Sequence, residues 1–191
     1  MAERGDCLSA TIKRNNFYIL SGGPGAGKTT VLEALRVRGF QCVEETGRKI
    51  IIEQKAIGGN IHHNGDRAAY RDLMLSRGID DFNRVTERDA PVFFDRGIPE
   101  LTGYSLFAGS ESPPAVEEAV ARYRYNPAVF LFPAWREIYT NDSERKQGFR
   151  EAVETCAAAA DAYKRTGYRI VEVPKASVDE RAQFIVAHAH E

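Results

Sequence analysis

No other feature limits this chain as strongly as the run Gly22-Gly23-Pro24-Gly25-Ala26-Gly27-Lys28-Thr29. It satisfies the spacing G-x-x-x-x-G-K-[ST] and separates two segments of opposite character. Before it, Phe17-Tyr18-Ile19-Leu20 is a continuous apolar run, the pattern of a buried strand. After it, Val31, Leu32, Leu35 and Val37 fall on helical spacing from Lys28 to about Arg38, and Gly39 is a natural stop. Glycines allow the backbone angles that turn several amides towards one anion, and a helix start adds its positive dipole end. The spacing predicts a phosphate cradle made of Gly22, Gly23, Pro24, Gly25, Ala26, Gly27, Lys28, Thr29 and Thr30. Lys28 is expected to bridge the β- and γ-phosphates of a nucleotide, and Thr29 to offer its hydroxyl to magnesium. At ordinary residue frequencies a chain of this size matches the pattern by accident roughly 1 time in 100.

The rest of the chain supplies the context such a loop requires. Further short apolar runs occur at Gln41–Val43, Pro91–Phe94, Ala128–Phe132 and Arg169–Val173. Helical segments are expected at about 46–55, 66–88 with an interruption near Gly78, 99–107, 114–125, 149–165 and 178–190. Uninterrupted apolar strands alternating with helices indicate an α/β fold with a parallel sheet covered on both faces. A length of 191 residues suits one domain, and three widely spaced cysteines, Cys7, Cys42 and Cys156, indicate neither a disulfide framework nor a zinc ribbon. Residues 1–15 read as a flexible N-terminal tail and 16–191 as a single domain. The expected setting is cytoplasmic, without membrane association, since no run is long and apolar enough to span a bilayer. A net charge of -1 disfavours nucleic acid as a partner.

Phe93-Phe94-Asp95 is an apolar strand ending in a carboxylate, which makes Asp95 a candidate magnesium ligand through water. Arg96 gains weight from standing beside that acid. Asp95-Arg96 is not the Asp-Glu pair of the AAA+ mechanical ATPases, and the guanine-reading pattern Asn-Lys-x-Asp does not occur. These features favour ATP over GTP, and chemistry over switching.

Residues 22–30 resemble the phosphate loop of nucleoside and nucleotide kinases, and Asp95-Arg96-Gly97 is similar to an element of deoxynucleoside and thymidylate kinases. Glu45-Thr46-Gly47-Arg48 and Asn141-Asp142-Ser143-Glu144-Arg145 resemble a family of AAA-domain, kinase-like P-loop ATPases related to nicotinamide riboside kinases. The resemblance implies a P-loop NTPase three-layer sandwich: five parallel strands in the order 2-3-1-4-5 with helices on both faces. It also implies a lid at about 135–147, in which Arg136, Arg145 and Lys146 are candidate cations and Arg145, in an Asp-x-x-Arg pattern, is the first choice. By the same resemblance Glu45 is the base towards an acceptor hydroxyl, with Arg48 one turn away and Glu44 as substitute. The loop 174–178 would flank adenine.

The expected catalytic set is therefore Lys28, Asp95, Arg96, Glu45 and Arg145, with Thr29 and Asp95 on magnesium. The expected activity is ATP- and magnesium-dependent phosphotransfer to a small nucleoside-like, nucleotide-like or other hydroxyl or phosphate acceptor. A regulatory ATPase acting on a protein partner is the alternative. His62-His63 with Asp66 lacks further ligands at a metal-binding spacing. Tyr104, Phe107, Tyr123 and Tyr125 are read as core before pocket.

Overall fold

The computed structural model describes residues 10–87, 89–107, 111–139 and 148–189. Strand β1 (Ile12–Lys13) is followed by β2 (Phe17–Gly22), whose six residues are all buried. β2 is therefore the centre of the sheet. It pairs in parallel with β4 (Val92–Asp95) on one side and β6 (Ala128–Phe132) on the other. β3 (Gln41–Val43) lies outside β4, and β7 (Arg169–Glu172) outside β6. The order β3-β4-β2-β6-β7 matches the expected 2-3-1-4-5. Only the two edge strands carry exposed residues, as a doubly covered parallel sheet demands.

Alternation along β2 sends Phe17 and Ile19 to one face and Tyr18 and Leu20 to the other. Tyr18 and Leu20 pack with Phe93 and Phe130 against Val31 and Leu35 of α1 (Lys28–Val37) and Ile185 of α7 (Val178–Ala189). Phe17 and Ile19 meet Phe82 of α3 (Arg67–Arg84), Leu101 of α4 (Glu100–Phe107), Val116 of α5 (Pro114–Arg122) and Tyr163 of α6 (Phe149–Arg165). Phe17 and Phe82 pack edge to face with ring centroids 5.2 Å apart. Removing such a buried ring typically costs about 3–5 kcal/mol. Beside this core, α2 (Thr46–Ile57) pairs with α3 through Ile50, Ile51 and Tyr70. Gly47 lets the two helices approach closely: a Cβ would sit 2.6 Å from the Tyr70 hydroxyl and push that side chain aside.

Three expectations change. The helix expected to break near Gly78 runs through it, because Gly78 faces Ile98 closely and its bare backbone is used for approach. Asp66 starts that helix, its carboxylate accepting from Ala69 N at 2.9 Å. The helix expected to reach Tyr125 stops at Arg122, and Tyr123–Arg124 forms β5, which pairs in parallel with β1. Ile12 and Lys13 therefore belong to the folded body, not to a flexible tail running to residue 15. Among the described residues no helix is long and apolar enough to cross a membrane.

Candidate active site

The loop after β2 is shaped by what surrounds it. Gly22, Gly25 and Gly27 all have positive φ, at 140°, 69° and 79°. A Cβ at Gly22 would lie 2.3 Å from the Phe132 carbonyl oxygen, and one at Gly23 2.3 Å from that of Ala152. The loop is thus wedged between β6 and α6, where only glycine fits. Lys28 is 7% exposed, and its Nζ donates to the carbonyls of Gly22 at 3.2 Å and Gly23 at 3.0 Å, folding back across the loop. Gly27 caps α1 without a side-chain hydrogen bond, and the first turn of that helix carries no acid. A helix start of this kind turns its dipole end and leading amides towards an anion. Thr29 and Thr30 are exposed on that turn. The donor set fits a nucleotide phosphate, and the hard oxygens of Thr29 and Asp95 fit magnesium.

Asp95 is 6% exposed and ends β4 in register with Leu20, beside the phosphate loop. Arg96 follows with φ of 71°, a left-handed conformation that costs an ordinary residue about 1 kcal/mol. Four contacts hold it. Its amide donates to Leu20 O at 2.9 Å, and Nη2 to Gly22 O at 3.2 Å. Its Nε lies 3.3 Å from Glu45 Oε1, and Nη1 pairs with Glu100. Glu45 stands at the N-terminus of α2, so this bridge ties α2 to the phosphate loop. Glu100 also accepts from Ser21 Oγ at 2.7 Å and from Tyr163 OH at 3.0 Å. Burial pushes the Tyr163 phenol up, so it stays a donor to the carboxylate, while Gly97 N donates to it at 3.2 Å.

A cavity of about 260 Å³ opens beside this network. Pro24 of the phosphate loop forms one wall, and Glu45, Asp95, Arg96 and Glu100 lie along the same end. Its walls also include Phe94, Met74, Tyr70, Tyr104, Tyr125 and Asp81. Asp81 accepts from Thr46 Oγ1 at 3.2 Å. The sequence reading favoured core for the aromatics. Tyr123 is core, but Tyr104 and Tyr125 also face the cavity, and the Phe107 side chain lies outside what is described.

Glu44 and Glu45 separate clearly. Both line the cavity, but Glu45 is bridged to Arg96 at the junction, whereas Glu44 is exposed at the rim and paired with Arg36 and Lys49. Arg48 is half-buried and stands outside the cavity lining. Arg136 is exposed over the Phe149 ring, 4.8 Å from its centroid. Arg145 and Lys146, with the rest of 140–147, lie outside the described residues.

Two residues were missed from sequence. Glu100 carried one signal, its i,i+4 spacing from Arg96. Arg181 carried none. It is 4% exposed and donates to Ala26 O at 3.3 Å and Ser177 O at 3.4 Å. Its guanidinium lies 5.5 Å from the centre of the Trp135 ring. Burial lowers its pKa. A capping box sets its position: Ser177 N and Oγ donate to Glu180, and Glu180 N donates back to Ser177 Oγ.

A family model described as AAA domain matches residues 17–181. None of the curated proteins matches the chain. Among solved structures, the fold is similar to that of a NadR protein in complex with NR, with a TM-score of 0.68, 17% identity, and coverage of 92% of this chain and 51% of that one. The chain thus spans about half of that protein. It is similar to deoxyadenosine kinase from M. mycoides with TM-score 0.62, 13% identity, and coverage of 91% of this chain and 98% of that one. Thymidylate kinase from Candida albicans gives a TM-score of 0.58 at 14% identity, covering 93% of this chain and 94% of that one. Matched by that model over most of its length and folded as these kinases are, the chain belongs to the AAA-domain family of P-loop NTPases.

Proposed function

We propose that this protein is an ATP- and magnesium-dependent phosphotransferase acting on a small nucleoside-like or nucleotide-like acceptor. One observation carries the reading. A cavity sized for a small molecule meets the phosphate loop at Pro24, with Glu45, Asp95 and Arg96 at the junction. A regulatory ATPase needs no such second chamber. NadR in complex with NR and the deoxyadenosine and thymidylate kinases, which share the fold, support it by analogy.

When bound, magnesium-ATP supplies the transferable phosphoryl group and offsets charge on the phosphate oxygens. The chain's own part is alignment and electrostatics. In this reading the loop amides and Lys28 hold the phosphates, Thr29 and Asp95 hold the metal, and Arg96 neutralises charge at the junction. Glu45 orients the acceptor hydroxyl and takes its proton. Arg181 fastens the loop through Ala26 and sets Trp135 beside the nucleotide, next to the 174–178 segment. The test is transfer of labelled γ-phosphate across an acceptor panel, with hydrolysis by water measured alongside. Transfer to a defined small molecule is expected. Hydrolysis alone, made dependent on a protein partner, would transfer the assignment to a regulatory ATPase.

A further inference from the structure

We infer that Glu100 is a positioning residue for phosphoryl transfer: it acts through Arg96, whose guanidinium it holds between the phosphate loop and Glu45. The inference rests on the phosphotransferase reading and gives a task to an acid that the proposed mechanism does not use.

Glu100 opens α4, where the dipole end of the helix favours an acid. Its carboxylate is taken up on both sides. One oxygen receives Arg96 Nη1, and the other receives Ser21 Oγ at 2.7 Å and Tyr163 OH at 3.0 Å. Ser21 on β2 and Tyr163 on α6 are fully buried, so two rigid elements fix the carboxylate. Glu100 borders the cavity, yet its oxygens turn to protein donors. An acid committed in this way suits the aiming of another group better than the gripping of a substrate.

Arg96 needs such a holder. Its φ of 71° is a left-handed conformation that persists only where the surroundings over-determine it. The turn that carries it is pressed onto the sheet, for a Cβ at Gly97 would lie 2.5 Å from Ile19 Cδ1. The side chain also serves two elements at once. Nη2 donates to Gly22 O of the phosphate loop at 3.2 Å, and Nε lies 3.3 Å from Glu45 at the start of α2. Gly22 O receives Lys28 Nζ as well, so the two cations of the loop share one carbonyl. The planar fork of an arginine meets all these partners in one orientation only, and Glu100 sets it. With Glu100 uncharged, the fork is free to close on Glu45 in bidentate fashion. The donor to Gly22 O is then lost, and Glu45 is tied to the arginine. Glu100 thus divides one guanidinium between the loop and α2.

The experiment uses the full chain with magnesium-ATP and the best acceptor of the panel named above. Glu100→Gln keeps the volume and one oxygen for Ser21 and Tyr163, but turns an amide towards Arg96. Its kcat is expected to fall about 10- to 100-fold, the worth of a hydrogen bond between charged groups. KM for ATP and for the acceptor should each stay within about 3-fold of the parent, since the lost contact is to Arg96 and not to a ligand. Tyr163→Phe leaves Ser21 and Arg96 on the carboxylate and should lower kcat by no more than about 5-fold.

A double-mutant cycle with Arg96→Met separates positioning from plain support of the fold. Adding Glu100→Gln to Arg96→Met should leave kcat within about 2-fold, because the arginine through which Glu100 acts is already gone. The same addition should raise the melting temperature, since it removes one of two acids left without their cation. A further fall in kcat as large as that of Glu100→Gln alone overturns the inference. So does a Glu100→Gln variant that melts lower but keeps the parent's kcat, for Glu100 is then a structural acid. If Arg96→Met does not fold, the split in Glu100→Gln decides: a raised KM with kcat unchanged overturns the inference. Each of these outcomes leaves the phosphotransferase reading standing. Hydrolysis with no transfer to any acceptor by the parent overturns that reading and the inference with it.

Discussion

The phosphate loop and the cavity share Pro24 as a wall, yet they are built in opposite ways. The loop is one continuous stretch whose chemistry is carried by backbone amides, one lysine and a helix end. Its shape is enforced by neighbours that exclude a Cβ at Gly22 and Gly23. The cavity draws single side chains from α2, α3, β4, α4 and α6, and its chemistry changes with any one of them. A cradle of amides binds phosphate whatever the substrate. In the proposed function, side chains from five separate elements select the acceptor. The molecule thus divides a general task from a particular one, and substitutions in the two halves should fail in different ways.

The largest effect is expected at Lys28, where the halves do not compensate for each other. Lys28→Ala should lower magnesium-dependent turnover by about a thousandfold while the chain still melts cooperatively. The ammonium donates to the loop carbonyls of Gly22 and Gly23, and in the proposed mechanism it serves the ligand. Turnover and thermal melting measured together check this. Wild-type turnover in a folded variant would take the phosphate role away from Lys28.

Asp95 and Glu45 bring the comparison to one point, since both line the junction but belong to different halves. Asp95→Asn should raise the magnesium requirement and slow transfer and hydrolysis alike. Glu45→Gln should keep ATP affinity and lose about 100-fold in transfer, with slow hydrolysis affected less. The four quantities are measured on both variants. Equal defects throughout would erase the division between donor and acceptor acids.

How far the sequence reached follows the same divide. Strand order was legible because each central strand is a short unbroken apolar run, and the loop because its residues are contiguous. Glu45 and Arg96 were legible because they sit at strand ends on the active edge. Ile12–Lys13 was not, since a two-residue strand has no periodicity to read. Nor was the continuity of α3, for a glycine used for close approach to Ile98 looks in sequence like a glycine that breaks a helix. Arg181 resembled any solvated helix cation, and only the fold brings it to Ala26, 155 residues away.

That buried arginine offers a smaller, one-sided test. Arg181→Met keeps much of the apolar stem but removes the donors to Ala26 and Ser177 and the cation facing Trp135. KM for ATP should rise about 3- to 10-fold, equivalent to about one ordinary hydrogen bond, because Arg181 holds the loop and acts on the nucleotide only through it, with acceptor KM unchanged. A matching rise in acceptor KM would show that Arg181 supports the fold as a whole and not the donor half.

The smallest effect belongs to Glu44, neighbour in sequence to Glu45 and opposite in role. Hydrogen bonding and charge from Lys49, with a lesser part from Arg36, hold its pKa below the ordinary value. A carboxylate with a lowered folded-state pKa adds stability above its unfolded pKa of about 4.3, and that stability is lost as pH falls through the folded value. Its side chain is 54% exposed, so water screens the pair and the gain is at most a few tenths of a kcal/mol. Glu44→Gln should therefore melt marginally below the parent at pH 7, and the gap should close as pH falls below about 4. Phosphoryl transfer should be unchanged, because the carboxylate turns to Arg36 and Lys49 at the rim and away from the Arg96 network. Melting curves at both pH values and acceptor kinetics at pH 7 decide it. A large loss of transfer in Glu44→Gln, with Glu45→Gln still active, would move the base by one residue and place the point of transfer at the rim of the cavity.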